Sequence, residues 1–241
     1  MTHDVFHVLR GRDVLALWEA GASLPSDRVM DMLLSAALPD GSASWIDGAS
    51  IGQKNTVLLR LYHKWFGNEL SACVECCSCG EKLETSVQVT DLLSVAGDAL
   101  PRVHTLEDGT QMRFPNSQDV RNTDHFQDEA GASHALLRSC LIDGDEMSDN
   151  DVLRYQQEVA DVIEKYDPLS LISFDLQCND CGTRFESALD VAFFLLRNFS
   201  SLAQRILYDV HSLAQHYGWR EADILDMSDT RRKAYMRLIE G

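Results

Sequence analysis

Four of the seven cysteines in this 241-residue chain fall within "CVECCSCGEKLE", residues 73 to 84. Thiols at this density can ligate a soft metal, run dithiol chemistry, or pack as small apolar groups. A second stretch helps to decide between these uses. "VECCSCGEKLETSVQV", residues 74 to 89, aligns without a gap to "LQCNDCGTRFESALDV", residues 176 to 191, at an offset of 102 positions. Both follow apolar-x-C-x-x-C-G-x-[KR]-[LF]-E-[ST]-x-[VL]-x-V, a repeat within the chain.

Each part of the pattern has a mechanical use. A C-x-x-C turn aims two sulfurs at one metal, and the glycine after it can take the positive φ that closes the knuckle. The alternating residues that follow are Leu83, Thr85, Val87 and Val89 in one copy, and Phe185, Ser187, Leu189 and Val191 in the other. They predict the returning strand of a hairpin. Each copy thus reads as half of a zinc ribbon, and two halves supply the four thiolates typical of structural zinc. The repeat selects Cys76, Cys79, Cys178 and Cys181 as ligands of one zinc per chain. Cys73 and Cys77 face Asp175 and Asn179 in the alignment and read as spectators. Cys73-x-x-Cys76 is an alternative register, but Cys77 rather than glycine follows it. Thiols that merely pack after loss of zinc are the bland alternative. A redox dithiol would be expected once, at a helix start, rather than twice in matching hairpins. Four protein ligands also leave no coordination position for water, so no chemistry is expected at this metal.

The elements that position these cysteines read as mostly helical. "RDVLALWEAG", "SDRVMDMLLSAAL" capped by Ser26, and "NTVLLRLYHKWFG" ended by Gly67 predict three helices before the first knuckle, with "PDGSASWIDGAS" as a loop. "TSVQVTDLL" and "RVHTLEDGTQMRFP", turning at Asp108-Gly109, predict a small sheet. Helix returns over 117–140 and in "VLRYQQEVADVIEKY", which Pro168 ends. A long helix is expected from Asp190 to Gly218, then a short turn and a last helix capped by Ser228. The fold class is therefore α+β and predominantly helical, with helices around a discontinuous zinc ribbon of two C-x-x-C-G hairpins plus a small β-hairpin region. The parts are an N-terminal helical region (1–70), the first knuckle (71–95), an inserted sheet and helices (96–170), the second knuckle (171–191) and a C-terminal helical segment (192–241), within one compact domain.

Charge narrows the function classes. Twenty-one basic against 38 acidic residues leave a net charge of −17, which repels nucleic-acid phosphates overall. No apolar run approaches the ~18 residues of a membrane span, and "MTHDVFHVLRGRD" lacks the apolar core of a signal peptide. A cytoplasmic location is expected, with thiols kept reduced. The acidic loop 143–151 lacks the spacing of a calcium loop and reads as a solvated loop that caps the next helix. The basic set Arg231, Arg232, Lys233 and Arg237 reads as exposed cations or a docking patch, and Tyr217 and Trp219 as packing rather than an anchor. No hydrolase, nucleotide-loop or dinucleotide motif occurs, and the eight histidines are scattered.

The ending joins His211, Leu213, Ala214, Tyr217, Gly218, Trp219, Glu221, Ile224, Leu225, Arg231, Arg232 and Tyr235 in "H-x-L-A-x-x-Y-G-W-x-E-x-x-I-L-x-M-x-x-x-R-R-x-x-Y". With the two knuckles and "MRFPNSQDV", this resembles the baseplate hub assembly chaperones of T-even-type contractile phages and their relatives in phage-tail-like injection systems. The resemblance runs from about residue 12 to residue 239. It implies a non-enzymatic factor that holds baseplate hub, spike or tail proteins of the same particle. It implies no nucleic acid, membrane or small-molecule substrate as partner, and leaves open whether the factor stays in the assembled particle. The alternative is a zinc-ribbon nucleic-acid-binding or regulatory protein, which only the Arg231 to Arg237 set favours. A metal-dependent hydrolase would need an open coordination site.

Overall fold

The computed structural model describes residues 6–39, 42–96 and 100–240. The first five residues of the stretch read for a signal peptide, residues 40–41 of the expected loop, and residues 97–99 of the inserted region lie outside the described residues.

Among the described residues, four helices lead to the first knuckle: α1 (Gly11–Gly21), α2 (Ser26–Ala37), α3 (Ala43–Gly48) and α4 (Ile51–Phe66). The knuckle joins β1 (Glu69–Glu75) to β2 (Lys82–Gln88), and α5 (Val89–Ser94) follows directly. The inserted region holds β3 (His104–Thr105), β4 (Gln111–Met112), α6 (Ser117–Arg121), α7 (Glu129–Cys140), α8 (Asp149–Arg154) and α9 (Gln156–Tyr166), with 3-10 turns at Gly144–Glu146 and Pro168–Ser170. The second knuckle joins β5 (Ser173–Gln177) to β6 (Arg184–Ala188). The chain ends in α10 (Val191–Tyr217), α11 (Glu221–Leu225) and α12 (Asp229–Glu240). The protein is mostly helical, and the described residues form three separate two-stranded antiparallel sheets. Among the described residues no helix is long and apolar enough to cross a membrane.

Several boundaries differ from the sequence reading. The expected loop before α4 holds α3, and α4 begins at Ile51, where Ser50 accepts from the N–H of Gln53 at 3.1 Å. Ser26 is not a cap: it is the first helical residue of α2, after Pro25. "TDLL" is helical, within α5, because the strand alternation stops at the buried Val89. The helix expected over 117–140 is broken between α6 and α7, and "VLRYQQEVADVIEKY" is divided between α8 and α9 around Tyr155. The acidic loop does cap the next helix as expected: Ser148 accepts from the N–H of Asp151 at the start of α8.

The chain divides into two compact units, Ser44–Val191 and Met1–Ala43 with Ala192–Gly241. Within the first, Leu106, Met112, Leu137, Cys140, Leu141, Val152 and Val159 form an apolar cluster. Two buried carboxylates tie its loops. Asp167 accepts from the Ser50 hydroxyl at 3.0 Å and the Gly52 N–H at 3.2 Å, fastening the start of α4 to the end of α9. Burial raises the Asp167 carboxyl above its ordinary range despite both donors. Asp119 takes a two-pronged bond from Arg113 at 2.6 and 2.7 Å and a third from the Asn116 N–H at 2.8 Å. Burial would raise this carboxyl, but the Arg113 bonds and the Asn116 N–H outweigh it and hold it below the usual range.

In the other unit, Leu213, Ile224 and Met236 form a core flanked by Val210, Trp219, Tyr235 and Ile239. Tyr217 stacks on Trp219 at 4.5 Å between ring centroids, and Trp219 meets Tyr235 edge-on at 4.9 Å. Arg232 departs from the sequence reading. It is 2% exposed and donates to Asp209 at 3.0 Å and Asp229 at 2.7 Å, so it is an internal cation and not part of an exposed basic set. Arg231, Lys233 and Arg237 are exposed.

Candidate metal centre

The two knuckles are built alike. In the β1–β2 hairpin Glu75 faces Lys82 and Val74 faces Leu83; in the β5–β6 hairpin Gln177 faces Arg184 and Leu176 faces Phe185, the same register displaced by 102 positions. The Cys76 N–H donates to the carbonyl of Glu81 at 2.8 Å, and the Gly80 N–H to that of Cys76 at 2.9 Å. In the second knuckle the Cys178 N–H donates to Thr183 at 2.9 Å and the Gly182 N–H to Cys178 at 3.0 Å. Gly80 and Gly182 both have φ of 74°. A side chain would strain this left-handed turn, which accounts for glycine after the second cysteine in both copies.

These turns bring together the four cysteines selected by the repeat. The sulfurs of Cys76, Cys79, Cys178 and Cys181 all lie within 4.8 Å of one another, a geometry that could hold a metal ion. Cys76 approaches Cys181 at 3.6 Å, and Cys79 approaches Cys178 at 3.6 Å, so the buried cysteine of each hairpin lies against the exposed one of the other. These separations far exceed the ~2.05 Å of a disulfide. They match the edge of a tetrahedron of sulfurs ~2.3 Å from a central ion, which is about 3.8 Å. Cys73 and Cys77 are exposed and outside the group; Cys140 is buried elsewhere, and burial pushes its thiol up to about 12. Among the described residues no other set of three or more His, Cys, Asp or Glu side chains comes together in this way.

The two exposed thiols of the group, Cys79 and Cys181, shift in opposite directions. Cys181 is drawn down to about 6, first by the Thr183 hydroxyl, 3.2 Å from its sulfur, then by the Thr183 N–H and by Cys79. Cys79 moves the opposite way. The Glu81 N–H lowers it, but its bonds with Cys181 and Cys178, together with desolvation, push it up to about 12. A divalent cation among the sulfurs would favour the thiolate at all four. Thr183 and Glu81 occupy matched places in the repeat, so alignment marks both as knuckle-closing residues, a role the cysteine pattern alone does not assign.

The two hairpins do not merge into one sheet. Between them lies a groove of about 630 Å³, lined on one side by residues 81–85 and on the other by Leu176, Gln177, Asn179 and Asp180. No protein-family model, curated protein or solved structure matches the chain.

Proposed function

We propose that this chain is a non-enzymatic assembly factor for the baseplate hub or tail of a contractile phage tail-like particle, stabilised by one structural zinc. Cys76, Cys79, Cys178 and Cys181 hold the zinc, and the two hairpins act as a discontinuous zinc ribbon. The observation that carries the structural-zinc reading is that four sulfurs within 4.8 Å of one another come from two knuckles of identical register, 102 positions apart. All four positions are filled by protein, which suits a clamp and leaves no place for a reacting water. Closing so long a stretch of chain makes metal binding part of folding, on the order of several kcal/mol or more.

The assembly role rests on the resemblance carried by the knuckles and the Tyr217-to-Tyr235 tail. The net charge of −17 supports protein partners, namely hub, spike or tail proteins met in the cytoplasm of the producing bacterial cell. Burial of Arg232 removes one cation from the set on which the nucleic-acid reading leaned.

Two experiments test the proposal. Metal analysis of purified protein is expected to give about one zinc per chain. Co-expression with the hub, spike and tube proteins of a contractile tail-like particle is expected to yield a stable complex and keep a hub protein soluble. Tight DNA or RNA binding at low salt, with no such complex, would overturn the assembly reading.

A further inference from the structure

We propose that the groove between the hairpins binds an extended, lysine- or arginine-rich segment of a partner protein, which adds as a strand to the free edge of β2. This deepens the protein-binding reading above and rests on it for the existence of a protein partner.

Three observations lead there. First, among the described residues β2 and β5 each pair with one strand only, so each keeps an open edge. The antiparallel ladder alternates bonded and unbonded pairs. Its bonded positions include Cys76 with Glu81, at 2.8 Å, and Asn68 with Val89, at 2.7 Å. By that alternation Lys82, Glu84 and Ser86 turn their N–H and C=O groups away from β1. Second, the groove is lined by consecutive residues, 81 to 85, rather than by every other one. That places the edge of β2, and not one of its faces, against the opening. An open edge is a ready template for an incoming strand.

Third, the lining specifies the chemistry of the strand. Leu83 and Leu176, both half-buried, offer apolar surface for alternate side chains. Glu81, Glu84 and Asp180 are exposed around them with Lys82 as the one cation, which favours a basic occupant. A second copy of this acidic chain would bring like charge to the same edge.

The test uses the full-length protein and a fluorescein-labelled peptide, Lys-Thr-Lys-Val-Lys-Thr-Lys, with its Glu-for-Lys twin. The basic peptide is expected to bind and to slow hydrogen exchange at the amides of Lys82, Glu84 and Ser86. Glu84→Lys is expected to weaken binding about fivefold. Ser86→Pro, which removes one outward donor, is expected to weaken it by a similar factor. Glu69→Lys, the same charge change on β1, is expected to leave affinity unchanged; metal content and melting temperature verify that each variant folds. Equal binding of the acidic twin, no binding at all, binding without protection of the edge amides, or a concentration-dependent dimer that protects them would each overturn the groove proposal. A hub complex that forms while the peptide fails sinks the groove alone. Peptide binding without any hub complex sinks the assembly reading alone.

Discussion

The two hairpins share what a metal needs and differ in what surrounds it. Register, knuckle hydrogen bonds and the glycine φ of 74° coincide. Beyond the knuckle they diverge: the first ladder has seven pairs and the second five, and only the first carries extra cysteines. Each is followed at the same offset by a buried valine that opens a helix, but α5 has six residues and α10 has 27. The shared part is thus a knuckle plus one helix start.

If the hairpins are equal jaws of one clamp, matched substitutions must have matched effects. The largest is expected at the buried ligands. Cys76→Ser and Cys178→Ser should each abolish zinc binding and cost several kcal/mol in chemical denaturation, as should a strong chelator. Zinc kept by one variant and lost by the other would break the symmetry. Next come the helix-opening valines: Val89→Ala and Val191→Ala, at 0% and 2% exposure, should each cost about 1–3 kcal/mol. A much larger cost at Val191 would show that α10 leans on its first turn more than α5 does.

Gly80→Ala and Gly182→Ala place a side chain in the left-handed turn and should each cost about 1–2 kcal/mol. Zinc uptake should survive in both, because neither turn has heavy atoms within 4 Å of an added Cβ. Smallest is the effect of the unmatched cysteines. Cys73→Ser and Cys77→Ser should leave zinc content unchanged and stability within about 0.5 kcal/mol, as for other exposed positions. Loss of zinc in Cys73→Ser would move the first jaw to the Cys73-Cys76 register.

The knuckles were legible in the sequence because their geometry is local: a tight turn, one glycine and period-2 alternation suffice, and the repeat supplies the partner. Gly109 at the β3–β4 turn and Gly218 after α10 were legible for the same reason, with φ of 93° and 67°. Long-range pairing was not legible. Arg232 reads as one cation among four until α12 brings it to Asp209, 23 positions away. Ser50 reads as loop until Asp167, from the far end of the same unit, takes its hydroxyl hydrogen bond. The groove was hidden too, since nothing in either hairpin alone reports that β2 and β5 stay apart.

The clamp depends on a single closed four-sulfur site shared by both hairpins. Zinc K-edge absorption on purified full-length protein tests it most directly. The predicted result is about one zinc per chain with four sulfurs at about 2.3 Å and no nitrogen or oxygen ligand. A site with fewer sulfurs and an oxygen or nitrogen neighbour, or a four-sulfur signal that persists in Cys178→Ser, would contradict it.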